Sequence, residues 1–376
     1  MGLRIYSAVF LVCFVYVFPS YCFAYETLTI IATGNLRGNF SLDTDEKTDP
    51  LLKVARGIIA ERSAKPVDCY VDLGNAFSPG ALSRYSYGAA MLDFFEYVQC
   101  DATLVGSRDV AVGLKNLELA SRMRPTQLLS INIVIDNKPI FKPYWILQKA
   151  GTKIGFIGIT SSKSIFDVAE KKVLSASLAA YRDYLTMTIE SLQAMGCKYI
   201  IVLSGLSGAE NIAIMKDYPA IDLILAGGDA SGIYYDVYSP RVDLEDGRSI
   251  ITLVRAGGHY SVRLMLKEKI TIEKIYFSEA DQKVSDSSYN ELVERVNLWK
   301  ERYAEAGAAA LADNFPATDI SSVTIAHLLR HYYNSEVAIV DVTDVFSTRL
   351  EGTITSIDVQ RIVQNDFTVF TYRLSG

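Results

Sequence analysis

Short apolar runs alternate with longer amphipathic stretches along the first half of the chain. Residues 28–33, 69–73 and 102–105 read as strands, and 50–61 and 87–98 as the helices between them. Strands alternating with helices in this way build βαβ units and a largely parallel sheet. The middle of the chain changes style. Residues 144–149 and 153–159 flank Ala150-Gly151-Thr152 as a hairpin would. A long helix is expected over 178–195, followed by strands over 199–203 and 223–225. Residues 249–254 and 261–266 read as a second, antiparallel ladder. The layout is two sheets packed as a sandwich with helices outside. From residue 285 onward Tyr289, Leu292, Val293, Val296, Trp299 and Tyr303 recur at helical spacing. Ser285 or Asp286 is placed to cap that helix, and Gly307-Ala308-Ala309-Ala310 ends it or forms a hinge. A small α/β segment follows over 319–376, with strands at 337–340 and 368–374 and a helix at 357–364.

The first residues carry a different message. Arg4, an apolar run over 8–18 and the stretch Cys22-Phe23-Ala24 form a secretory signal peptide cleaved before Tyr25. The competing reading is an uncleaved anchor. No later segment approaches the ~20 apolar residues that cross a bilayer, so no stable membrane span is expected after signal cleavage. The expected location is periplasmic or secreted. Of five cysteines, Cys69, Cys100 and Cys197 lie beyond the signal, each at or just before the start of a strand. They are expected to cluster on one edge of the sheet. A Cys69–Cys100 bridge is open, but neighbouring parallel strands and a one-residue offset oppose it. The absence of a CxxC motif excludes zinc-ribbon and thioredoxin readings. A length of 376 residues suggests two or three domains, and a net charge of -6 argues against nucleic acid as a partner.

The strands end in glycine-containing turns, the places where open α/β sheets bind ligands. In order these are Gly34-Asn35-Leu36-Arg37-Gly38, Gly74-Asn75, Gly106-Ser107-Arg108-Asp109, Ser204-Gly205 and Gly227-Gly228-Asp229-Ala230. Their order and spacing resemble the motifs of the 5′-nucleotidase branch of the calcineurin-like metallophosphoesterase family, as in the periplasmic UshA-like nucleotidases. In that family the turns read Asp-x-His-Gly, Gly-Asp, Gly-Asn-His-Glu, a histidine after an apolar strand, and Gly-His-x-His. Asn132, the strand around 153–160 and Ile221-Asp222-Leu223-Ile224 fit the same pattern. Some nucleotidase-like proteins of this kind are labelled selenoproteins, but no cysteine here is placed for such a role. The resemblance implies an α/β fold: a four-layer metallophosphoesterase-like αββα sandwich plus a truncated α/β C-terminal domain of 5′-nucleotidase type. The boundaries implied are a signal peptide over 1–24, the main domain over 25–284, a linker helix over 285–312 and a partial C-terminal domain over 313–376. In the last of these Gly352-Thr353-Ile354-Thr355 and Asp358 match. The family's substrate-contacting arginine falls on Phe346, with Arg349 three residues away.

The same alignment removes the chemistry. A pair of divalent metals needs carboxylates and imidazoles to hold both ions and acidify a bound water. The matching positions hold Asn35, Arg37, Asn75, Ser107, Arg108, Gly205, Gly228 and Ala230. Asn35 and Asn75 keep the shape of aspartate without its charge, and a guanidinium repels a divalent ion. No catalytic residue, metal or other cofactor is therefore expected, and a divalent metal pair belongs only to the alternative that the chain is a divergent phosphoesterase or nucleotidase. The first reading is an exported nucleotidase-like binding or scaffold protein, its partner a small anion or another protein. Either the turns have drifted in a fold kept for other reasons, or Arg37 and Arg108 form a re-purposed anion site. Alternatively Asp72 or Asp109 pairs with these arginines. His327 and His331 share a helical face at a spacing that can bind metal, without the glutamate of an HExxH motif. The tyrosine clusters at Tyr234, Tyr235 and Tyr238 and at Tyr332 and Tyr333 read as packing surfaces.

Overall fold

A computed structural model describes residues 26–42, 47–161, 176–227, 241–253, 257–279, 287–308, 310–333, 348–355 and 358–359. The signal segment, Gly228, Asp229 and Ala230, the tyrosines at 234, 235 and 238, Phe346, Ser285 and Asp286, and the strands expected at 337–340 and 368–374 lie outside the described residues, as does most of the helix expected at 357–364.

The first half runs β1 (Glu26–Thr33), α1 (Pro50–Ala64), β2 (Cys69–Asp72), α2 (Ala81–Tyr85), α3 (Ala89–Tyr97), β3 (Ala102–Leu104) and α4 (Leu114–Ser121). Then come β4 (Gln127–Leu129), β5 (Ile133–Ile135), β6 (Lys138–Pro139), β7 (Tyr144–Lys149), β8 (Thr152–Ile159) and β9 (Ala176–Leu178). The third quarter holds α5 (Tyr181–Ala194), β10 (Tyr199–Ser204), α6 (Gly208–Asp217), β11 (Leu223–Ala226), β12 (Arg241–Asp243), β13 (Ser249–Thr252), β14 (His259–Leu266) and β15 (Ile270–Ser278). The chain closes with α7 (Ser287–Gly307), β16 (Ala310–Ile320), α8 (Ser322–Tyr333) and β17 (Thr348–Thr355).

Two six-stranded sheets result, ordered β15-β14-β1-β2-β3-β4 and β12-β13-β11-β10-β8-β7. In each sheet four neighbouring strands are parallel, β1 to β4 in the first and β13, β11, β10 and β8 in the second. The alternation of side chains on a strand sorts the core. Leu28, Ile30 and Ala32 of β1 face the second sheet, where they meet Phe156, Tyr199, Ile201 and Leu225. Ile31 points the other way, into a cluster with Leu52, Ile58, Phe94, Phe95 and the α7 residues Leu292 and Val296. A third cluster, with Leu185, Ile189, Leu192, Ile214 and Met215, covers the far side of the second sheet. The order of layers is helix, sheet, sheet, helix.

Several expectations change. The segments 249–254 and 261–266 do not pair with each other: β13 lies parallel to β11 in the second sheet, and β14 lies antiparallel to β1 in the first. Both are apolar enough to be buried on two faces, so sequence proximity does not select the partner. The helix expected over 87–98 is α3, which starts at Ala89 because Tyr87 and Gly88 take positive φ of 52° and 87°; the short α2 before it was not foreseen. The helix expected from 178 begins at Tyr181, because β9 pairs with β5. The C-terminal part holds a ribbon not foreseen, β16 antiparallel to β17, and β16 spans residue 312. The three cysteines are free. Cys69 faces the inter-sheet core, Cys100 the outer cluster of the first sheet and Cys197 the outer cluster of the second, so they do not cluster.

The helix α7 is no free linker. Tyr289, Leu292, Val296, Lys300 and Tyr303 are its buried face. Arg56 Nη1 donates to Tyr289 Oη at 2.7 Å, and Trp299 Nε1 donates to Asp93 Oδ2 at 2.8 Å. Asp49 caps α1 by accepting from the Leu51 and Leu52 N–H groups at 3.0 and 3.2 Å, with Pro50 fitted to the first helical position. Asp49 is fully buried, and burial, opposed chiefly by Lys300, raises its pKa. Lys300 Nζ lies 3.2 Å from its Oδ2 and is itself buried. Breaking such a pair from one side strands a charge. Lys300→Met should therefore cost about 3–5 kcal/mol, whereas Asp49→Asn with Lys300→Met should recover most of that loss, since asparagine still caps the helix. Urea melts of the variants check this; equal losses in single and double variants would contradict it.

Candidate functional site

The turns after β1, β2, β3 and β11 converge at the carboxyl edges of the two sheets. Asn35 Nδ2 donates to the Gly227 carbonyl at 3.0 Å, Asn75 Nδ2 donates to Asn35 Oδ1 at 3.1 Å, and the Arg108 N–H donates to Asn75 Oδ1 at 3.1 Å. The orientation of both amides is set from the ends, because a backbone carbonyl only accepts and a backbone N–H only donates. The chain thus ties three strand ends of the first sheet to one of the second. Its residues are held in uncommon backbone: Asn35, Arg37 and Asn75 have φ of 55°, 59° and 54°. Asparagine tolerates this left-handed region; for arginine it costs about 1 kcal/mol. Hydrogen bonds over-determine it. Asn35 N–H donates to Gly74 O at 2.9 Å, Arg37 N–H to Asn75 O at 2.9 Å and Gly80 N–H to Arg37 O at 2.7 Å. Glycine is required at 106, where a Cβ would stand 2.3 Å from the Asn75 nitrogen.

Behind the amides lie two buried carboxylates. Asp72 accepts from Thr33 Oγ1 at 2.7 Å and from Thr103 Oγ1 and the Gly74 N–H at 2.9 Å each. Asp109 accepts from the Phe77 and Gly106 N–H groups at 2.8 Å each. Burial pushes both pKa values up to about 7, against the pull of these hydrogen bonds. The expected alternative, Asp72 or Asp109 paired with the arginines, is replaced by these backbone and hydroxyl donors. Both carboxylates brace the turns instead.

Of the remaining sequence candidates, Ser107 and Gly205 are buried in the turns, the latter donating its N–H to Ile159 O at 2.9 Å. Arg37 is exposed, Arg108 half-buried. Arg37 lines a cavity of about 290 Å³ with Asn35, Leu36, Asn39, Pro50, Leu51, Val54 and Gly257; Arg108 does not line it. His327 and His331 are exposed on α8, and the described residues contain no group of three or more His, Cys, Asp or Glu arranged to hold a metal ion. Sequence reasoning missed the cavity floor and the Asp49–Lys300 pair behind it. Asp49-Pro50 was readable as a helix start; its partner 251 residues away was not.

No protein-family model matches the chain, and no curated protein does. Solved structures match across most of it. A 5′-nucleotidase precursor from Thermus thermophilus superposes with a TM-score of 0.64 at 14% identity, over 90% of this chain and 74% of that one. The fold is that of the 5′-nucleotidases. A putative 5′-nucleotidase from Staphylococcus aureus has a TM-score of 0.61 at 15% identity, over 90% and 72% of the two chains. The calcineurin-like phosphoesterase YfkN from Bacillus subtilis has a TM-score of 0.57 at 17% identity, over 74% of this chain and 99% of that one.

Phosphoesterases of this kind use a metal pair, and the described residues at the 5′-nucleotidase-fold turns do not fit one. Asn35 and Asn75 direct their oxygens at N–H donors and carry no charge, and Ser107 and Gly205 supply no imidazole or carboxylate.

Two outcomes follow for this site. Asn35→Asp or Asn75→Asp replaces a donor by an acceptor and should cost about 1–3 kcal/mol at neutral pH, with part of the loss recovered when acid protonates the new carboxyl. Chemical melts at neutral and acid pH check this; unchanged stability would contradict it. Asp72 holds its proton in the folded chain up to about 7, against 3.8 for the ordinary value. Between those values the folded state binds more protons, so its contribution to stability falls as pH rises. Asp72→Asn should flatten the pH dependence of stability in that window, measured as melting temperature against pH; an unchanged slope would contradict it.

Proposed function

We propose that this chain is an exported binding protein on a 5′-nucleotidase fold, that it does not hydrolyse phosphate esters, and that it recognises a small anion at the strand-end cleft. The observation that supports this reading is the amide chain: Asn35 and Asn75, neutral and bonded to each other, stand at the turns that by sequence resemblance would carry metal ligands. The cationic side chain of Arg37, exposed beside that chain, supports anion recognition. The apolar N-terminal segment with its cleavage pattern supports export, and no helix among the described residues is long and apolar enough to cross a membrane. The Staphylococcus aureus neighbour was solved in complex with alpha-ketoglutarate, a small organic anion. That precedent agrees with a carboxylate as ligand. Elemental analysis of the purified protein, paired with a nucleoside monophosphate hydrolysis assay, tests the reading. The expected result is less than one equivalent of zinc, manganese or iron, no hydrolysis, and no change in melting temperature after chelation. Two equivalents of metal with turnover would establish the divergent-enzyme alternative instead.

A further inference from the structure

The cavity beside the amide chain has a composition that selects its ligand. Arg37 is the one charged side chain among the described residues lining it; Asn35 and Asn39 add amides, and Leu36, Pro50, Leu51 and Val54 form an apolar wall. Among the described lining residues none is aromatic, so none of them stacks on a nucleobase. The guanidinium of Arg37 has no ion-pair or hydrogen-bond partner among the described residues, although its backbone is pinned on both sides in a left-handed conformation. A strained, over-determined backbone presenting a bare cation at a cavity rim marks a recognition residue. The start of α1 does not compete for the anion. Its first N–H groups are taken by Asp49, whose charge is balanced by Lys300.

We infer that this cavity binds an organic anion with a single acidic head, held by Arg37, and a small apolar body resting on Leu36, Pro50, Leu51 and Val54. The inference rests on the anion-binding reading above and adds the ligand's class and place. A volume of about 290 Å³ falls just below the ~300–1,000 Å³ of common ligand cavities and suits one short carboxylic acid or phosphate monoester. The one cation among the described lining residues matches one head, and the apolar wall disfavours a second charge.

Calorimetric titration of the full chain with hexanoate, phenyl phosphate, inorganic phosphate and a nucleoside monophosphate tests this. Hexanoate or phenyl phosphate should bind about tenfold or more tightly than inorganic phosphate. Arg37→Asn keeps a residue that tolerates positive φ while removing the charge, and should weaken binding about tenfold or more without loss of melting temperature. Val54→Thr should weaken the apolar-bodied ligands about fivefold and leave inorganic phosphate unchanged. Arg37-dependent binding in which inorganic phosphate matches the organic anions would overturn the ligand class and leave the anion-binding reading standing. Binding indifferent to Arg37→Asn would overturn the site. No binding of any anion would overturn both.

Discussion

The Asn35–Asn75 amide contact holds the strand ends of this fold together without charge. Two carboxylates at that separation would repel each other and could only accept hydrogen bonds, so a cation would have to stand between them. Carboxamides remove both problems, because each donates to one neighbour and accepts from the other. The result is a continuous path from the Gly227 carbonyl in the second sheet, through both side chains, to the Arg108 N–H in the first. The left-handed backbone at Asn35, Arg37 and Asn75 persists because these bonds and the neighbouring backbone bonds leave it no alternative.

The surroundings of that contact show how the chain handles buried charge. Asp72 and Asp109 sit beneath the turns with their oxygens filled by hydroxyls and N–H groups, and burial shifts both toward the neutral form. Asp49, farther out, keeps a cationic partner in Lys300, which ties α7 to the helix whose first turn walls the cavity. These three carboxylates are thus satisfied from within, and Arg37 is exposed at the cavity rim.

Much of this architecture was legible from local pattern. The turns after the parallel strands, the hairpin at 144–159 and the long helix from 287 all carry signals within a few residues of themselves. What was not legible depends on distant partners. The neighbours of β13 and β14 are chosen by which sheet has an open edge, and both strands are apolar enough for either. The break between α2 and α3 rests on a tyrosine at positive φ, which no propensity rule favours. At the site, Asn35, Asn75 and Arg37 were legible as departures from the turns of the family that the sequence resembles. That the two amides bond to each other and that Arg37, not Arg108, lines the cavity are facts of geometry, beyond the reach of residue type and spacing.

The most direct test of the amide chain is nuclear magnetic resonance of the Asn35 and Asn75 side-chain NH2 groups, assigned through Asn→Gln variants, during titration with manganese. Hydrogen-bonded, metal-free amides should exchange slowly with solvent and keep their line widths at stoichiometric manganese. Selective loss of both signals at one or two equivalents would place a metal between them and contradict the account.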